Sequence, residues 1–142
     1  MKPSHCLAFL AVLFLCAASA LAADVGGTWT GQFAPDMNPS NVHKFMLNLK
    51  AEGDKLTGTM VFCRGDCSNP MGKVAIENGK VNGDAISFGI DTDAQDVPHI
   101  DFQGTVTGDS ITFVVSGKAP NCAPDTSCQI GQGSATRTTS PH

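Results

Sequence analysis

The chain has 142 residues, with 13 acidic against 9 basic side chains and a net charge of −4. That length supports one hydrophobic core and not two. The acidic balance repels phosphate backbones and anionic lipid heads, which sets aside nucleic-acid and membrane-surface binding.

Residues 1–22 read as a secretory signal peptide. Lys2 lies in a short polar start, an apolar run follows from Leu7 to Leu15, and Ala20-Leu21-Ala22 supplies small residues for cleavage. The apolar run is too short to span a bilayer. Bulky Phe14 and Leu15 before Cys16 disfavour a lipid anchor there. The mature chain, 23–142, is expected to be one soluble, secreted or periplasmic domain without membrane insertion. Loss of Lys2 takes the basic count from 9 to 8 against 13 acids, a net charge of −5. Cleavage also leaves Cys63, Cys67, Cys122 and Cys128, and an even number in an exported chain favours disulfides over metal ligation or catalysis. Three pairings are possible from sequence. Proximity favours Cys63 with Cys67 and Cys122 with Cys128.

In chain order, period-two apolar patterns run through Val25/Gly27/Trp29/Gly31/Phe33, Phe45/Leu47/Leu49/Ala51 and Leu56/Gly58/Met60/Phe62. They continue in Ile86/Phe88/Ile90, Ile100/Phe102/Gly104/Val106 and Ile111/Phe113/Val115. Between Phe62 and Ile86 one strand breaks parity, because Val74 and Ile76 are even and Val81 is odd. A β-bulge at Asn78-Gly79, with Gly at positive φ, would restore the inward face. A weaker strand near Gln129 to Thr138 brings the number to eight.

Three Gly-Asp dipeptides, at 53–54, 83–84 and 108–109, sit between these patterns as tight hairpin turns. With Gly-Asp as the central pair, Val106 faces Ile111, Val81 faces Ile86 and Ala51 faces Leu56, each apolar pair on one face. Helical periodicity is missing from the mature chain. The expected fold is therefore all-β, an eight-stranded antiparallel up-and-down barrel, because closure removes exposed edges. A β-sandwich is the alternative. Longer links near 34–41, 63–72, 92–98 and 118–128 alternate with the short turns, so all four gather at one mouth. Loops on a rigid scaffold are the expected place for binding.

Gly27-Thr28-Trp29 on the first strand, with Arg137 on the last, resembles the Gly-x-Trp and late Arg of the calycin superfamily, the lipocalins and avidins. The resemblance implies that Arg137 packs across Trp29 and closes the barrel floor, a cation over an indole face. The phrases G-T-W-T-G, G-D-K-L-T-G-T, N-G-K-V-N-G-D-A-I-S-F and G-T-V-T-G-D-S-I-T-F are also similar to small exported bacterial barrel proteins over most of the mature chain. The lipocalin Thr-Asp-Tyr segment and C-terminal helix are missing, there is no Tyr, and one Trp cannot line an avidin biotin site. Lipocalin-like transport and biotin binding are not implied.

Candidate site residues fall at the mouth: Asp36, Arg64, Asp66, Asp93, Asp96 and Asp125, an acidic setting that favours neutral or cationic ligands over anionic ones. Cys63-Arg64-Gly65-Asp66-Cys67 resembles a constrained integrin-type loop, but Gly and Asp are ordinary turn residues and a plain hairpin loop is the preferred reading. Asp91, Asp93 and Asp96 lack the Gly and terminal Glu of a calcium loop, so a solvated acidic loop is preferred and no metal or cofactor is expected. His43 and His99 read as lying on the polar phase of their strands, poor positions for a general base. No nucleophile-base grouping stands out, and the chain is not expected to be an enzyme. Six inward Phe residues either line a small apolar pocket or, the preferred reading, fill an eight-stranded interior. The expected role is binding of a small apolar or neutral ligand at the mouth, with a protein or glycan interaction through the same loops as the alternative.

Overall fold

A computed structural model of the chain describes residues 24–138 apart from 36–39, 41, 65–66, 94, 96 and 121. Residues 1–22, expected to be a signal peptide, lie outside the described residues. Nine strands are present: β1 Gly27–Pro35, β2 His43–Glu52, β3 Lys55–Arg64, β4 Asn69–Ala75, β5 Glu77–Asn82, β6 Ala85–Asp91, β7 His99–Thr107, β8 Ser110–Gly117 and β9 Cys128–Arg137. There is no helix among the described residues. Eight strands close a ring of antiparallel neighbours, β1-β2-β3-β5-β6-β7-β8-β9 and back to β1. The expected barrel is present, and the sandwich alternative is not.

The extra strand comes from the parity break. What reads in sequence as one strand is two, because Ile76 interrupts it and the register shifts between Glu77 and Lys80. β4 pairs with the mouth-side half of β3 and lies outside the ring, while β5 crosses to β6. The bulge sits where the odd-even switch demands it. Asn78, at φ 52°, takes the left-handed conformation expected of Gly79. Asn tolerates that region because its short amide bonds locally.

All three turns have the expected register: Ala51 faces Leu56, Val81 faces Ile86 and Val106 faces Ile111. Gly53, Gly83 and Gly108 hold φ near +60° (63°, 62° and 59°) at the first central position, which suits the right-handed twist of the flanking strands.

The inward rings meet across the barrel axis. Phe45 on β2 contacts Phe113 on β8 edge-on with centroids 6.1 Å apart, and Phe33 on β1 reaches Phe102 on β7 at 6.3 Å. Phe88 and Phe102 stack at 5.1 Å. Offset and edge-on pairs of this kind add attraction beyond area burial. Around them Leu47, Met60, Ile90, Ile111 and Val115 are fully buried. Rings from opposing walls occupy the axis, so the preferred filled-interior reading holds at this level.

Candidate functional site

The two ends of the barrel differ. At the floor, with the three short turns, Trp29 is fully buried and its indole N–H donates to the Val25 carbonyl at 3.0 Å. The Arg137 guanidinium lies 4.3 Å from the Trp29 ring centre. Its Nε donates to Asp109 in the β7–β8 turn at 3.0 Å, and its terminal nitrogens donate to the carbonyls of Gly26 and Asp24. One side chain thus binds the last strand to the segment before β1 and to a turn. The Trp29 and Arg137 contact implied by the calycin resemblance is formed.

At the mouth both proximity-based cysteine pairs are bonded, Cys63–Cys67 with Cα atoms 4.5 Å apart and Cys122–Cys128 at 5.7 Å. Such short closures stabilise by about 2 kcal/mol each through the unfolded chain, and their presence suits a non-cytoplasmic environment. Arg64 ends β3 at this rim, and Asp93 and Asp125 are exposed on two further connections, Asp125 with φ 59°. Asp36, Asp66 and Asp96 lie outside the described residues, as does Gly65. The mouth also carries a feature that composition alone does not reveal: Phe33, Phe62, Ile100 and Ile130 are only half-buried above the ring cluster.

His43 requires a correction. It shares the odd parity of Phe45 and Leu47 and so stands on the inward phase, although at the rim it is exposed as a surface residue would be. It pairs with Phe33 across β1 and β2, and the two rings stack at 5.4 Å with 25° between planes. The apolar pattern simply ends at the rim, which made the position look like part of the wet face.

His99 is on the outer wall as expected, but it is not isolated. Asp91 ends β6 directly opposite it, and Asp101 is two residues along β7 on the same face. The imidazole Nδ1 is 2.8 Å from Asp91 Oδ1 and Nε2 is 3.1 Å from Asp101 Oδ1. Glu77 on β5 completes the group. Asp91 and Asp93 are exposed, as a solvated acidic loop implies, but Asp91 ends β6 and is engaged by His99, a contact the sequence reading did not anticipate; Asp96 lies outside the described residues. The available signal was register: continuing the pairing of Ile90 with Ile100 places Asp91 beside His99.

The Asp91 hydrogen bond raises the His99 pKa above the ordinary 6.5, with partial burial opposing it and Asp101 adding to it. A folded pKa above the unfolded value means that the stabilisation is fully present below about pH 6.5 and fades as pH rises through the raised value. In chelator, the stability difference between the native chain and His99→Gln should be largest in mildly acidic buffer and shrink towards alkaline pH. A difference independent of pH would refute this role for Asp91 and Asp101.

A closed antiparallel barrel, with an arginine over a buried tryptophan at one end and disulfide-tied loops at the other, defines a small β-barrel protein. No protein-family model matches the chain, and no curated protein matches it. Among solved structures it is similar to the crystal structure of Rv2717c from M. tuberculosis, with a TM-score of 0.50 and 16% identity over 80% of this chain and 92% of that one. At this identity the likeness is one of fold.

Proposed function

We propose that the protein is an exported, non-enzymatic barrel that binds a small apolar or neutral ligand at its mouth, in the periplasm or outside the cell. The observation that carries this reading is the half-buried pair Phe33 and Phe62, whose centroids are 6.2 Å apart at the loop-bearing end. Because rings fill the axis beneath them, the seat is shallow, and the ligand rests on the aromatic floor without entering a deep chamber. His43, stacked on Phe33, supplies a polar edge to that floor. Two disulfides on the surrounding connections reduce the ordering cost of binding there. The Trp29 and Arg137 floor supports a calycin-type closure with a structural role only.

A second reading is favoured by the same shallowness together with Val42 and Met71, which are exposed apolar residues before β2 and on β4: a protein or glycan surface would cover the rim. The discriminating experiment is native mass spectrometry of protein recovered from its own host, followed by denaturation. The expected result is one small molecule per chain, with occupancy reduced about ten-fold or more in Phe62→Ser, since truncating an anchor at the centre of a binding patch removes most of its energy. Empty protein, or occupancy unchanged in Phe62→Ser, overturns the ligand reading in favour of the second.

A further inference from the structure

The cluster on the outer wall is separate from the mouth floor and gathers three carboxylates, Glu77, Asp91 and Asp101, around one imidazole, so that it keeps a net negative charge even when His99 is protonated. Glu77, Gly89 and Asp101 align across β5, β6 and β7, and Asp91 and His99 form the next outward row. Gly89 makes room for the ring: a Cβ there would meet His99 Nε2 at 2.7 Å, so the imidazole lies across the sheet over this glycine. Each ring nitrogen then faces a carboxylate oxygen.

A neutral imidazole has one N–H. When it points at Asp101, the Nδ1 lone pair faces the Asp91 carboxylate and can take a cation in place of the proton that the imidazolium holds there. Three carboxylates, Glu77, Asp91 and Asp101, surround this single ring. An imidazole whose far nitrogen is held by a carboxylate while the near one faces further oxygen donors is the arrangement that orients a histidine towards a metal.

We propose that His99 Nδ1, Asp91 and Glu77 form a binding site for a first-row divalent cation such as Zn²⁺, with Asp101 as the residue that positions the imidazole. One side-chain ligand atom from each of Glu77, Asp91 and His99 lies within 4.8 Å of the others. Bonds of about 2.0–2.2 Å to a shared ion bring ligand atoms to roughly 3.4 Å. The exposed Glu77 side chain closes that gap by a rotamer adjustment, and water fills the outward positions. One nitrogen with two carboxylates matches zinc-like ions better than calcium, which takes six or more oxygens. The ion ties β5, β6 and β7 together beside the place where the chain passes from β4 into the ring at β5.

The test is calorimetric titration of ZnCl₂ into the chain from residue 23 onward, disulfides intact and stripped with chelator, near neutral pH, with amide NMR shifts as a second readout. One equivalent is expected to bind with shifts centred on β5–β7. His99→Gln and Glu77→Gln should each weaken binding by about ten-fold or more, and Asp101→Asn should weaken it by about ten-fold through the ring's orientation. His43→Gln should leave it unchanged. Failure to saturate, affinity indifferent to His99→Gln, or equal loss in His43→Gln overturns the site. All four positions are on the surface, and circular dichroism of each variant separates lost binding from lost fold.

Discussion

Trp29→Ala is expected to destabilise the barrel by about 3–5 kcal/mol, the range for emptying a large aromatic site in a core that relaxes only partly. Trp29 is fully buried at the floor. The change also removes the donor to the Val25 carbonyl and the aromatic face beneath Arg137. Arg137 would keep its bonds to Asp109, Gly26 and Asp24 but lose the surface that holds its guanidinium flat. Urea unfolding followed by circular dichroism measures the effect, since the variant loses the chain's single Trp as a fluorescence probe. A loss below about 1 kcal/mol, less than one buried hydrogen bond and its packing, would show that the floor is not what closes this barrel.

Gly58→Ala should be about as damaging, at roughly 3 kcal/mol or more, for a different reason. Gly58 has φ 152° in β3, and a Cβ there would lie 1.8 Å from the Asn48 carbonyl oxygen of β2. The obstacle is backbone in a paired strand, which cannot rotate aside as a side chain can. Gly108→Ala is the matched comparison. It also carries a positive φ, 59°, but its Cβ would point into open space, so only the left-handed penalty of about 1–2 kcal/mol applies. Denaturant midpoints of the two variants should differ accordingly. Equal midpoints would mean that the β2–β3 pair can part at Gly58 without cost, contrary to the register observed there.

Turn chemistry and period two made much of this fold legible in advance. Gly-Asp between alternating apolar runs specifies which residues face each other, because a hairpin's register follows from its turn. The same counting located the bulge at Asn78-Gly79, and the alternation of short and long links placed both cysteine pairs at one end. The calycin resemblance anticipated Arg137 over Trp29, a contact between residues at opposite ends of the domain. At the rim the sequence signal weakens: the apolar pattern stops at His43, whose parity points inward while its polarity suggests the opposite face.

The amino-acid order by itself determined the strands, the hairpin registers and the uneven ends of the barrel, since each depends on residues within one hairpin. Tertiary structure decided that one apparent strand divides, with β4 outside the ring, because that depends on whether β3 or β6 offers the better hydrogen-bonding edge. It also decided the sequence-distant contacts: rings from opposing walls fill the axis, and Glu77, Asp91, His99 and Asp101 gather over Gly89. Those contacts are set by closure, which brings into reach side chains whose spacing along the chain carries no periodic signal.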